Sequence, residues 1–70
     1  MYKLTMSMNK QLLNLFKIND KVKTDLNVEG TVVNYVEIQG KIYIKIRWKN
    51  GTFGVYGPEE VKRYNIKKVA

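Results

Sequence analysis

The chain has 70 residues, of which 44% are hydrophobic and 11% aromatic, and this composition predicts a single folded domain with a thin core. It has neither cysteine nor histidine, which excludes disulfide bonds, thiolate metal sites, thiol nucleophiles and the side chain that most often acts as a general base. Thirteen Lys and Arg against six Asp and Glu give a net charge of +7. Such a charge favours a polyanionic partner, although it also serves solubility alone.

Few other residues could form a catalytic, phosphate-binding or metal-binding site. The adjacent carboxylates Glu59 and Glu60 suit a structural turn better than an acid/base pair, and the glycines are spread singly rather than forming a phosphate-binding loop. No spacing of carboxylates suggests a metal site. We therefore expect no enzymatic activity, no cofactor and no metal.

The first residues lack a continuous apolar segment, and no run reaches the roughly 18 apolar residues of a membrane span. We therefore expect a soluble, cytoplasmic, monomeric protein with no membrane partner.

The first element is a predicted helix over residues 7–17, with Ser7 as its N-cap. Its apolar stripe, at positions i, i+4, i+7 and i+8, consists of Met8, Leu12, Leu15 and Phe16. A helix this short is unstable alone, so we expect it to pack on the rest of the domain. The predicted division is a helical segment at 1–18, a barrel at 19–66 and a frayed tail at 67–70.

Residues 41–49 alternate between apolar and polar side chains, as expected of a strand with one buried and one solvated face. The following Asn50-Gly51 is a strong signal for a two-residue hairpin turn. That turn pairs Ile46 with Val55 on the core face and Lys45 with Tyr56 on the other face.

The preceding strand, residues 31–37, allows two registers against this one. A two-residue loop at Gln39-Gly40 would pair Tyr35 with Ile44. A three-residue loop starting at Ile38 would pair Val36 with Ile42 and Tyr35 with Tyr43. We favour the three-residue loop because it places apolar side chains opposite apolar ones.

Two short strands complete the pattern, one at residues 21–24 and one at 61–64, the latter after a tight turn at Pro58. Five short strands joined by tight turns predict a mainly β domain, a five-stranded antiparallel barrel with a short N-terminal α-helix. The predicted core is Val22, Val32, Val36, Ile42, Ile44, Ile46, Trp48, Phe53, Val55 and Val61.

Four segments carry a family resemblance: Asp20-Lys21-Val22-Lys23, Glu29-Gly30-Thr31-Val32, Ile44 to Gly51, and Pro58-Glu59-Glu60-Val61. Together they resemble the SH3-like barrels of the KOW, Tudor and Mib types over residues 19–65. In such barrels a tryptophan precedes an Asn/Asp-Gly hairpin, and a helical turn precedes the last strand. The whole chain also resembles small prophage proteins of Gram-positive bacteria of the YorP type. The resemblance implies an SH3-like fold and leaves the function open.

The polar face of the central strands is the candidate binding surface. Lysine and arginine neutralise phosphates, and tyrosine rings stack on bases, so this face predicts sequence-nonspecific binding of DNA or RNA. The candidate nucleic-acid-binding residues are Tyr35, Lys41, Tyr43, Lys45, Arg47, Lys49 and Tyr56. In a closed barrel the surface would extend to Lys21, Lys23, Lys62 and Arg63. An ordinary solvated sheet face, with Tyr35 and Tyr43 as a packing pair, is the alternative interpretation.

Two other functions stay open. SH3-like barrels often bind peptides of a protein partner, and Trp48 with Phe53 could form part of an aromatic pocket for one. A phage structural or assembly subunit is the third possibility, and it predicts concentration-dependent association.

Overall fold

The computed structural model describes Leu12 and residues 15–69. Most of the predicted helix, including Ser7 and Met8, and the terminal Ala70 lie outside the described residues. Leu12 and Leu15 are helical, and the N–H of Phe16 donates to the carbonyl of Leu12 at 2.9 Å. Leu12 and Phe16 are buried whereas Leu15 is exposed, so two members of the predicted stripe enter the core.

The described residues form a mainly β fold with one antiparallel sheet of five strands and one short helix. The elements are β1 (Lys21–Lys23), β2 (Glu29–Ile38), β3 (Lys41–Trp48), β4 (Phe53–Tyr56), α1 (Pro58–Arg63) and β5 (Lys67–Lys68). The strand order is β4-β3-β2-β1-β5, so the last strand returns beside the first. β4 and β5 form the two edges and do not pair with each other, and the sheet is therefore open.

The segment after β4 is helical, so the predicted strand at residues 61–64 is wrong. Pro58 begins α1, where its fixed φ suits the first turn, and the carboxylate of Glu60 accepts the N–H of Gly57 at 2.9 Å. Lys62 and Arg63 occupy the last turn, where the helix dipole favours cations. The last strand is β5 instead, in the tail that was predicted to fray. It pairs with β1.

The hairpin between β2 and β3 has a two-residue turn, so the predicted three-residue loop is wrong. Gln39 and Gly40 both have positive φ, at 51° and 80°, as a tight hairpin turn of this kind requires. Tyr35 consequently faces Ile44. A bulge at Val33 then shifts the register by one residue. Beyond the bulge Val32 faces Ile46, as predicted, because the extra residue restores apolar pairing near the core.

The hairpin between β3 and β4 has a longer turn than the two residues predicted. The N–H of Trp48 donates to the carbonyl of Thr52 at 2.8 Å, and the N–H of Gly51 donates to the carbonyl of Trp48 at the same distance. Gly51 has a φ of 92°, as expected in a three-residue turn that ends in a left-handed residue. The added residue reverses both faces of β4. Phe53 and Val55 are therefore exposed, which corrects their predicted place in the core.

The core lies between the sheet and the segment that precedes β1. Its buried members are Leu12, Phe16, Val22, Val32, Ile44, Ile46 and Ile66. Trp48 and Val61 pack against it, partly buried, as does Tyr56. Val36 and Ile42, predicted to be core residues, are only half-buried, and Val36 faces Tyr43 on the other side of the sheet. Ile66, which follows α1, was not among the predicted core residues.

Candidate nucleic-acid interface

Alternation along β3 sorts its side chains onto two sides of the sheet. Ile44 and Ile46 point into the core and are fully buried. The residues between and around them point away from it, together with the exposed residues of β4 that pair with them. We call this side the basic face, and its members are Lys41, Tyr43, Lys45, Arg47, Phe53 and Val55.

One cross-strand row of this face extends over four strands. Lys21 of β1 pairs with Thr31 of β2, Thr31 with Arg47 of β3, and Arg47 with Phe53 of β4. The Nζ of Lys21 donates to the Oγ1 of Thr31 at 3.4 Å. Because neighbouring strands lie about 4.8 Å apart, the row places two cations within reach of one bound chain. Lys21 therefore extends the basic face, although the sheet is open.

The next row pairs Asn34 with Lys45 and Lys45 with Val55. The Nζ of Lys45 lies 4.9 Å from the centroid of the Phe53 ring, within the range of a cation–π contact. Phe53 is 58% exposed and Val55 is 43% exposed. An exposed aromatic ring thus lies directly beside two of the cations.

Acidic side chains border the basic face at two places. Glu29 lies on the same side of the sheet as Lys21 and lines a cavity with Lys21 and Arg47. Glu59 and Glu60 line another cavity with Lys41. Among the described residues, the rows through Lys45 and Arg47 include no carboxylate. A polyanion would therefore meet the least repulsion at the centre of the face, at Lys45 and Arg47.

Four of the seven predicted site residues lie together on the basic face: Lys41, Tyr43, Lys45 and Arg47. Lys49 lies beside it in the turn after β3, where its N–H donates to the carbonyl of Glu29 at 2.9 Å. The Tyr43 ring is half-buried and packs close to Gly57, since a Cβ at that glycine would come within 2.9 Å of the ring. Tyr43 therefore offers a bound molecule less of its surface than Phe53.

The other two predicted residues, Tyr35 and Tyr56, lie on the core side of the sheet, so their assignment to the binding face is wrong. The hydroxyl of Tyr35 donates to the carbonyl of Phe16 at 2.6 Å. The hydroxyl of Tyr56 accepts the indole N–H of Trp48 at 2.8 Å. Both errors come from the turns, because one residue more or less in a turn reverses the faces of the next strand.

Phe53 is the residue of this face that the sequence interpretation missed. The signal was present, because Gly51 suits the left-handed last position of a three-residue turn as well as it suits Asn-Gly. With that turn, Phe53 pairs with Arg47 on the basic face instead of lying in the core.

The opposite side of the sheet holds an aromatic cleft of about 340 Å³. The Trp48 and Tyr56 rings meet edge to face with centroids 5.8 Å apart, and Tyr56 meets Tyr64 in the same way at 5.9 Å. Leu26, which is 83% exposed, lines the cleft from the loop between β1 and β2. Trp48 thus contacts Tyr56, which in turn contacts Tyr64, and the predicted pocket with Phe53 is wrong.

The described residues also bear on metal sites and on membrane-spanning helices. Within residues 15–69 and Leu12, no three acidic side chains gather where they could hold a metal ion. No helix in this part of the chain is long and apolar enough to cross a membrane. Comparison of the chain with protein-family models, curated proteins and solved structures found no match.

Proposed function

We propose that this chain is a small, non-enzymatic SH3-like domain that binds nucleic acid, without sequence specificity, through the basic face. The strand order supports the SH3-like assignment, since four strands follow one another across the sheet and the fifth returns beside the first. The helical turn of α1 before the last strand supports it too. The observation that carries the function is a sheet face with four cations and an exposed aromatic ring, whose central rows through Lys45 and Arg47 hold no carboxylate among the described residues.

Binding of this kind is driven by the phosphates. Each lysine or arginine that neutralises a phosphate releases condensed counterions, and this entropy gain is independent of base sequence. Alternate residues of a strand lie roughly 7 Å apart, similar to the spacing of phosphates along one nucleic-acid strand. Lys45 and Arg47 occupy such alternate positions at the centre of the face. They are the best candidates for the main phosphate contacts.

The direct test is the double variant Lys45→Glu with Arg47→Glu, measured by fluorescence anisotropy with a labelled oligonucleotide. We expect at least a tenfold loss of affinity, and a salt slope that falls by about 2 because each cation contributes about 1. Arg47 is exposed and Lys45 half-buried on the solvated face, so the variant should fold. A circular dichroism melt checks this.

The matched control is Arg63→Glu on α1 with Lys67→Glu on β5, which changes the net charge equally at residues that pair with no member of the basic face. It should lose only the general charge contribution, about threefold or less at moderate salt. If the two double variants bind equally, the basic face is not the site. If neither variant nor wild type binds any oligonucleotide, the proposed function is wrong.

The aromatic cleft supports a second candidate, a module that binds a peptide of a protein partner. Its walls combine the edge-to-face rings of Trp48, Tyr56 and Tyr64 with the exposed side chain of Leu26. Such a partner would change the emission of Trp48 and show weak salt dependence, whereas a nucleic acid on the basic face would show steep salt dependence.

A further inference from the structure

The geometry points to single-stranded nucleic acid as the ligand of the basic face, with the ring of Phe53 as the platform on which a base stacks. This inference rests on the proposed function and narrows it from nucleic acids in general to one class. It also assigns a role to Phe53, a residue that the sequence pattern had placed in the core.

The first support is the position of Phe53. It lies in β4, which forms an edge of the sheet in the described part of the chain, and 58% of its surface is exposed. Lys45 lies over one side of the ring, with its Nζ 4.9 Å from the centroid. The direction away from β3 is the open edge. A base can therefore reach the ring from the solvent side without displacing another strand.

The second support is the arrangement of charge around the ring. Arg47 is the direct cross-strand partner of Phe53, and Lys45 is the diagonal one. A base stacked on Phe53 brings its own phosphates to within one or two strand spacings of both cations, because strands lie about 4.8 Å apart. Ring and cations can thus bind the same nucleotide, and Lys45 can exchange its contact with the ring for one with a phosphate.

The third support is that a DNA duplex offers no free base face on which the Phe53 ring could stack. In an undistorted DNA duplex the bases stack on one another, and a protein reaches only their edges and the phosphates. An aromatic ring on a sheet face gains nothing from such a surface. A single strand offers free base faces, which stack on aromatic side chains irrespective of sequence. Val55, 43% exposed beside Lys45, adds apolar surface for the same base or its neighbour.

The test compares a single strand of about 12 thymidines, within the site sizes of small β domains, with a duplex of the same length. Phe53→Leu keeps an apolar side chain but removes the flat ring, whereas Phe53→Trp keeps a ring that can stack. We expect Phe53→Leu to lose roughly tenfold in affinity for the single strand and to change duplex affinity by less than about twofold. Phe53→Trp should bind the single strand at least as well as wild type.

Tryptophan emission gives an independent measurement. Trp48 is the chain's one tryptophan and donates its indole N–H to Tyr56 in the aromatic cleft, and its response to the oligonucleotide in the wild type serves as the baseline. In Phe53→Trp a stacked base should quench the new indole. Unquenched emission at saturating oligonucleotide, or unchanged affinity of Phe53→Leu, would show that the ring is not a platform.

Different experimental results would contradict this inference and the proposed function. If Lys45→Glu with Arg47→Glu abolishes binding while Phe53→Leu binds like wild type, the face binds nucleic acid without stacking. If wild type binds the duplex as tightly as the single strand, the ligand class is wrong. If the charge variant binds both oligonucleotides like wild type, the proposed function itself fails.

Discussion

Asp20 is the carboxylate that connects three parts of the molecule. It accepts the N–H of Lys17 at 2.8 Å, lies 3.4 Å from the Nζ of Lys68 in β5, and directly precedes β1. The hydrogen bond from Lys17 is the main cause that lowers the pKa of Asp20 below its usual value of 3.8, and the charge of Lys68 contributes in the same direction. The ionised form is therefore favoured in the folded state.

Stability should consequently depend on the protonation of Asp20. Since its pKa is lower in the folded than in the unfolded chain, its contribution is fully present above pH 3.8 and is lost as the pH falls through the folded-state value. Asp20→Asn should remove this part of the acid sensitivity. Urea unfolding of both proteins at neutral and acidic pH measures it, with Asp25→Asn in the exposed β1–β2 loop as control. An Asp20→Asn protein with the same acid dependence as wild type would contradict the assignment.

At the scale of the element, β2 holds the N-terminal segment against the sheet. The hydroxyl of Tyr35 donates to the carbonyl of Phe16 at 2.6 Å, and Phe16 is itself buried in the core. The bond exists because the two-residue turn places Tyr35 opposite Ile44, on the core side. The two-residue turn thus removes Tyr35 from the basic face and places its hydroxyl where it holds the segment before β1 against the sheet.

Tyr35→Phe tests this anchor. It leaves the partly buried carbonyl of Phe16 without its donor, so we expect a loss of about 1 kcal/mol in the free energy of unfolding. Tyr43→Phe, which removes a hydroxyl from the basic face, should change the free energy by less than about 0.5 kcal/mol. Urea denaturation measures both. Equal losses from the two substitutions would show that the Tyr35 hydroxyl does not anchor the segment.

The sequence pattern predicts correctly the part of the site that lies within a single strand. Strict alternation along β3 placed Lys41, Tyr43, Lys45 and Arg47 on one face, and the structure agrees. The errors arise where one element meets the next. The β2–β3 turn has one residue fewer than predicted and the β3–β4 turn has one more, and a shift of one residue reverses the face of the side chains in the paired strand. Phe53, Tyr35 and Tyr56 were misplaced for this reason.

The strand after Pro58 was misassigned for a different reason. Val61 to Tyr64 contains residues compatible with a strand or a helix, so local preference does not decide between them. The residues at the helix N-terminus decide between the two. Pro58 lies in the first turn, and the carboxylate of Glu60 accepts the N–H of Gly57. The helix that begins there leads the chain to Ile66 in the core.

At the scale of the whole molecule, the sheet separates two surfaces of different chemistry. One side carries the basic face, where Phe53 lies between Lys45 and Arg47. The other side carries the aromatic cleft around Trp48. A net charge of +7 biases the molecule toward polyanions, and the rows through Lys45 and Arg47 hold these cations with no carboxylate among their described members. The two surfaces are separable by experiment, because a ligand on one need not perturb the other.

The most direct measurement is a titration of the amide NMR spectrum with a short single-stranded oligonucleotide at low and moderate salt. We predict shifts that concentrate at Tyr43, Lys45, Arg47 and Phe53 and that diminish as salt increases, because phosphate contacts release counterions. The indole signal of Trp48 should move less than the amide signals of Lys45 and Arg47. Shifts centred on Trp48 and Leu26, or a response that ignores salt, would contradict nucleic-acid binding by the basic face.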